Sequence, residues 1–319
     1  HVYPWQRALW QNLTQRFENI GHGLLFYGKP GSGKEAFTQQ FVAWVLCQAR
    51  QADMACGQCR SCQWLNANTH PNYIYVSTDE ENKKQNPQIK IEKIRDLLPF
   101  VQQTGEGWRV IVIQPAEALN LAASNALLKT LEEPGEQVLI SLLAQHYLKL
   151  PATIRSRLQH FALDRIAPEQ AQDYLHTHLP QAGQSQYNLL MNLANHMPIQ
   201  AVELAQAEWL GRRAEFLTDW LKLVSQKNMP MHLANKWNKA LSFADFAQMF
   251  EYLLADLIAY KLVQPIKNID LDFNTLATHY SLDYLFEIYQ ALQQSKQLLK
   301  QNVQSNLIID QLCIQLMHV

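Results

Sequence analysis

Long apolar runs, an excess of either charge and scattered cysteines are all missing from this 319-residue chain. No apolar stretch approaches the roughly 18 residues that cross a bilayer, so a membrane partner is not expected. No charged-then-apolar segment opens the chain as a signal peptide does. It begins at His1 rather than Met, which fits a short N-terminal piece that is missing or trimmed. Lys and Arg number 27 against 28 Asp and Glu, a net charge of -1. A global basic field for nucleic acid is therefore excluded, and any DNA contact must be local. Only Cys313 lies apart from a cluster that runs from Cys47 to Cys62. That distribution excludes a disulfide scaffold and points to a metal site in a reducing compartment, hence to a soluble, cytoplasmic protein. What is present is apolar material, 48% of residues, enough for sizeable cores in two or three domains.

The first half alternates short apolar runs with helical patterns, as a parallel α/β sheet does. Strands are predicted at Leu24 to Tyr27, Tyr73 to Val76, Val110 to Ile113, Val138 to Leu143 and Gln159 to Phe161. Ala123, Leu127 and Leu131 recur at helical spacing until Pro134-Gly135 stops them. After Phe161 the strand signal fades. Three short helices are predicted around Gln170 to His178, Ser185 to Asn195 and Ile199 to Ala207, and the pattern from Trp209 onward is helical. Ile309, Leu312, Cys313 and Leu316 form one stripe that buries Cys313. Thr78 to Gln88 reads as a solvated loop. The fold class is α/β followed by all-α, with domains at 1–165, 166–207 and 208–319.

Gly28-Lys29-Pro30-Gly31-Ser32-Gly33-Lys34 follows an apolar strand and opens a helical pattern, the context of a phosphate-binding P-loop. Gly28, Gly31 and Gly33 let backbone N–H groups turn toward phosphate, and Lys34 supplies a point charge. The next residue should be Ser or Thr, whose hydroxyl binds Mg²⁺; it is Glu35. The apolar run Val110 to Ile113 should end in an acidic pair, and it ends in Gln114-Pro115. Phosphoryl transfer rests on positioned charge and metal. Losing these groups together leaves two readings: a nucleotide fold kept as scaffold, with ATP or ADP bound but not hydrolysed or with an empty site, or a slow, unconventional NTPase.

Cys47, Cys56, Cys59 and Cys62 are spaced C-x8-C-x2-C-x2-C. Four thiolates so close suit a closed, structural, tetrahedral Zn²⁺ site, with an iron–sulfur cluster as the alternative. Such a metal would brace an insertion too poor in apolar residues for its own core. His70 is a spare ligand or a local hydrogen-bonding group.

Three stretches resemble the delta-prime subunits of bacterial DNA polymerase III clamp loaders, a family of the AAA+ class. They are the cysteine module with the following Thr69-His70-Pro71-Asn72-Tyr73, the run Ser124 to Pro134 (SNALLKTLEEP), and Thr153-Ile154-Arg155-Ser156-Arg157-Leu158. The last is similar to the family's Ser-Arg-Cys motif, with Leu158 in the Cys position. The resemblance is dense over residues 1–165 and weaker in Asn302 to Leu316. It implies an AAA+ P-loop domain with a zinc module, a small helical lid and a helical collar. It implies a non-catalytic subunit that supports ATP-dependent loading of the sliding clamp onto primed DNA, with gamma/tau and delta subunits as partners. Arg157 would be an arginine finger presented in trans; without the resemblance it reads as a surface ion pair. A lid-domain sensor Arg is replaced, by position, with Gln200. Arg155, on a segment read as locally extended, would share a face with Arg157.

The enzymatic alternative is a gamma/tau-type, ATP-hydrolysing subunit, for which Gly33-Lys34 is intact. A zinc-dependent DNA-binding module is the third reading, but only Arg50 and Arg60 are basic between residues 47 and 62.

Overall fold

Phe26, Phe37 and Phe41 fix the position of the phosphate loop before any polar group is considered. In the computed structural model, which describes residues 2–78, 87–103, 107–226, 229–299 and 305–317, their ring centroids lie 5.4 Å (Phe26 to Phe37) and 6.0 Å (Phe26 to Phe41) apart. Trp10 meets Phe37 edge-on at 5.6 Å. These contacts clamp α2 (Lys34–Leu46) and α1 (Arg7–Gln15) onto β1 (Gly23–Tyr27). Each fully buried ring is worth about 1.5–3 kcal/mol in burial alone.

The chain forms two compact units, His1–Ala171 and Gln172–Val319. The first is built on a parallel five-stranded sheet of order β2-β3-β4-β1-β5. Its strands are β1, β2 (Tyr73–Val76), β3 (Arg109–Ile113), β4 (Val138–Ala144) and β5 (Gln159–Ala162). All five strands expected from sequence are present, each with its boundary moved by no more than one residue. Register pairs Leu24 with Ser141 and Gln159, and Ile111 with Ile140 and Ile74. Alternate residues face opposite cores. Leu25, Ile111, Ile113, Ile140 and Leu142 pack with α4 (Ile91–Arg95), α5 (Leu98–Gln102) and α6 (Leu121–Glu132). Leu24, Phe26, Val110, Val112, Leu139 and Leu143 pack with α1 and α2. β3 and β4 are buried along their whole length, which explains a sequence that is apolar except at Arg109 and Ser141.

α3 (Arg60–Asn66) and α7 (Ala152–Arg155) complete this unit. α6 begins at Asn120, whose side chain accepts the Ala123 N–H at 2.8 Å, and stops before Gly135, where φ is +76°. The loop expected at Thr78 to Gln88 lies, apart from its ends, outside the described residues.

The second unit is helical: α8 (Pro168–His178, which begins before the boundary), α9 (Gln184–Leu193), α10 (Pro198–Ala205), α11 (Arg213–Gln226), α12 (Pro230–Ala240), α13 (Phe243–Lys261), α14 (Asn274–Thr278), α15 (Leu282–Leu299) and α16 (Ser305–Gln315). Residues from Leu175 to Leu316 share one apolar core around Trp209, Phe216, Trp220 and Trp237. Cys313 is buried in it, and burial pushes its thiol up to about 12. The start of the Asn302 to Leu316 segment lies outside the described residues.

One polar relay ties this core to the last helix. Trp220 Nε1 donates to the Tyr280 hydroxyl at 2.8 Å, which donates to the Leu316 carbonyl at 2.6 Å. Tyr280→Phe deletes the relay and strands a buried indole N–H. A loss of about 1–3 kcal/mol is expected in denaturant unfolding of the helical unit; unchanged stability would show that the relay contributes nothing.

Candidate functional site

β1 ends beside the sheet's point of reversal, where its order turns from β4 to β5, and Gly28–Lys34 follow it into α2. Gly31 and Gly33 have φ of +77° and +79°, a conformation glycine takes without strain. Close packing also requires glycine here. A Cβ on Gly33 would lie 2.6 Å from Tyr3 Cε2, and one on Gly28 would lie 3.0 Å from Ser32 Oγ and 3.1 Å from the Asp164 nitrogen. The loop is held from two sides. Trp5 Nε1 and Gln6 Nε2 both donate to the Ser32 carbonyl, at 3.2 and 3.0 Å. Asp164 accepts the Lys29 N–H at 3.2 Å. Tyr3, Trp5, Gln6 and Asp164 were not foreseeable, because each reaches the loop from at least 26 residues away and has no local motif.

Lys34 is 2% exposed, and its Nζ lies 3.1 Å from Glu35 Oε1. Gln114 Nε2 donates to that same oxygen at 3.2 Å. The Tyr75 hydroxyl donates to Gln114 Oε1 at 3.4 Å, a long bond that nonetheless orients the amide. Two departures from an ATP-hydrolysing P-loop thus touch each other. A buried ammonium without a partner costs several kcal/mol, and here its partner is the adjacent residue of its own chain. The Tyr75 hydroxyl is held above its ordinary pKa, first by burial and then by the charge of Glu35. A cavity of about 400 Å³ opens beside this group, with Glu35, Gln114, Tyr73 and Tyr75 in its wall.

Arg157 lies on the surface just after α7. Its Nε donates to Glu132 Oε1 at 2.8 Å and its Nη2 to the same oxygen at 2.5 Å. Nη1 donates to the Thr153 carbonyl at 2.8 Å. Glu132 closes α6, so this ion pair joins two of the motifs that carried the resemblance. Arg155 is a different case: residues 152–155 form a helical turn, not the extended segment expected, so Arg155 and Arg157 do not share a face. Arg155 Nε instead donates to the Leu150 carbonyl at 3.1 Å. Leu158 is buried beside Ile154, filling the position of the motif's Cys with an apolar side chain. Gln200 sits in the first turn of α10.

The four clustered sulfurs lie within 4.8 Å of one another. Cys47 leaves the end of α2 in extended geometry, Gly57 (φ +72°) turns the backbone, and Cys62 enters the first turn of α3. Tetrahedral Zn–S bonds of about 2.3 Å require sulfurs about 3.8 Å apart; Cys47 and Cys59 are at 3.9 Å. Burial pushes the Cys62 thiol up to about 12. Burial works the same way on Cys59, yet backbone N–H donors of Cys62 and Gln48 draw that thiol down to about 6. The set fits a closed metal site held by Cys47, Cys56, Cys59 and Cys62. His70 takes no part: its Nδ1 accepts the Asn72 N–H at 3.0 Å, leaving Nε2–H for Ser61 Oγ at 2.7 Å, and Ser61 donates to the Leu46 carbonyl at 2.6 Å. Arg60 lies 4.4 Å over the Trp64 ring and Arg50 lies 4.4 Å over Trp44, so both basic residues of the module pack on aromatic faces.

The strand order, the phosphate loop after β1 and the helical unit that follows define an AAA+ P-loop protein. The family described as "DNA polymerase III, delta subunit" matches residues 5–167. DNA polymerase III subunit delta-prime of Pseudomonas aeruginosa is 36% identical over 239 residues, covering 74% of this chain and 71% of that relative. The delta-prime subunit of Haemophilus influenzae is 32% identical over 269 residues, covering 82% and 78%. The tau subunit of Bacillus subtilis is 30% identical over 165 residues, covering 50% of this chain and 28% of that relative. The chain belongs to the DNA polymerase III delta-prime family, whose members are clamp-loader components. Among the described residues no helix is long and apolar enough to cross a membrane.

Elemental analysis of the purified chain is expected to return about one zinc per chain. Cys59→Ser should release it and loosen residues 47–66, leaving the helical unit's unfolding transition in place. Native, metal-free protein with four reactive thiols would contradict this.

Proposed function

We propose that this chain is a non-hydrolysing subunit of a DNA polymerase III clamp loader, and that it presents Arg157 to ATP held by a neighbouring subunit. The observation that carries this reading is the Lys34–Glu35–Gln114 group. The position for a Mg²⁺-binding hydroxyl holds a carboxylate already engaged by the P-loop lysine, and the position after β3 holds an amide that cannot act as a base. Zinc at the four cysteines would be structural, because four protein thiolates leave no open position. ATP or ADP in this P-loop would serve no turnover.

In this reading gamma/tau and delta subunits are the partners, and the sliding clamp and primed DNA are reached through the assembled complex in the cytoplasm. The three parts 1–165, 166–207 and 208–319 serve as P-loop domain, lid and collar. That division concerns role rather than core, since α8 to α16 share one apolar interior. Cutting after residue 207 would split this interior, so an assembly test should compare whole units.

Arg157 supports the finger role by chemistry and placement. Its guanidinium is at the surface, oriented by Glu132 and the Thr153 carbonyl, and is released by breaking a surface ion pair worth about 0–1 kcal/mol. Developing charge on a γ-phosphate repays that readily, since arginine fingers contribute about 10³–10⁵ in rate. The gamma/tau-type alternative rests on the intact Gly33-Lys34 and predicts turnover by the chain itself.

In a reconstituted loader, Arg157→Ala should slow single-turnover hydrolysis about 10³-fold at the one ATP site it faces, with assembly and zinc content unchanged. Arg157→Lys should restore little, because an ammonium lacks the planar fork. Arg155→Ala is the control. Wild-type ATPase and clamp loading in Arg157→Ala would return the residue to a surface ion pair.

A further inference from the structure

Positions 35 and 114 have exchanged charge. In a nucleotide-hydrolysing P-loop the residue after the lysine is a neutral hydroxyl and the residue after the β3-type strand is a carboxylate. Here the carboxylate is at 35 and the neutral amide at 114, and the two are hydrogen-bonded at 3.2 Å. A carboxylate at 114 would face Glu35 across that distance and repel it, and a hydroxyl at 35 would leave Lys34 without the carboxylate that now neutralises it.

We propose that Glu35 is an internal substitute for phosphate: its carboxylate neutralises Lys34 where a phosphate oxygen would, and this one residue excludes nucleotides from an otherwise intact loop. Three features of the site match a phosphate's requirements. The carboxylate sits in the first turn of a 13-residue helix, where the helix dipole and N–H groups favour an anion. It contacts the lysine Nζ at 3.1 Å. Its oxygen takes an N–H from Gln114, whose amide is oriented by Tyr75. The rest of the loop keeps the form of a binding site: Gly31 and Gly33 retain their left-handed conformations, and the Trp5 and Gln6 bonds hold the Ser32 carbonyl. Ser32 Oγ is buried without a hydrogen-bond partner, a polar orphan inside the loop. The loop is therefore preformed, and its exclusion of nucleotide is electrostatic rather than a loss of shape.

This builds on the non-hydrolysing reading of the P-loop, yet its test measures binding by the full chain alone and is independent of Arg157. Isothermal titration with Mg²⁺-ADP, and separately with inorganic pyrophosphate, compares wild type, Glu35→Gln and Glu35→Thr. Removing the like charge beside the phosphates should tighten binding at least about tenfold over wild type. Adding Lys34→Ala to either variant should abolish the gain. In thermal melts Glu35→Gln should unfold earlier than wild type and be rescued by pyrophosphate, which leaves wild type unmoved. If Glu35→Gln fails to fold, Glu35→Thr with Gln114→Asp, which restores the usual charge order, decides in the same titration. Wild type binding Mg²⁺-ADP as tightly as the variants would overturn the proposal. So would folded, zinc-replete variants with no gain. Either result leaves the trans role of Arg157 standing, and failure of that role leaves this titration unaffected.

Discussion

A lysine ammonium buried to 2% exposure must find a counter-charge, and much of the P-loop's chemistry follows from which one it takes. In this chain it is the neighbouring Glu35. That choice suits a neutral amide at Gln114, whose N–H donates to the carboxylate. The aromatic clamp of Trp10, Phe26, Phe37 and Phe41 holds α2 against β1 beneath this group. A fold built around phosphate thus persists with its own side chain in the phosphate's role.

The same economy runs through the rest of the first unit. Residues 47–62 bring four sulfurs together and lay Arg50 and Arg60 on the faces of Trp44 and Trp64. The His70–Ser61–Leu46 relay ties that module to the end of α2. Arg157 is oriented by Glu132 at the end of α6, so the SNALLKTLEEP helix holds this guanidinium as well as packing the core beneath it.

The sheet was legible because its central strands are buried on both faces: nearly continuous apolar runs such as Val110–Ile113 and Val138–Ala144 suit such strands. The phosphate loop and the cysteine cluster were legible because their spacing encodes a local geometry. What escaped was long-range or conformational. Tyr3 over Gly33, Asp164 on Lys29, and Glu132 on Arg157 join residues far apart in sequence and follow no period. The helical turn at residues 152–155 escaped because four residues after a proline carry almost no periodic signal. The pairing of Glu35 with Gln114 was the most informative miss. Each residue read as the loss of a catalytic group, whereas their 3.2 Å contact joins them in one hydrogen-bonded group.

The central claim is that this subunit works without turning over ATP itself, and hydrolysis by the isolated chain tests it most directly. Single-turnover measurement with Mg²⁺-ATP, run with and without primed DNA, should give no rate above the uncatalysed background, with Lys34→Ala indistinguishable from wild type. A measurable rate that disappears in Lys34→Ala would contradict the account and place the chain among the ATP-hydrolysing loader subunits.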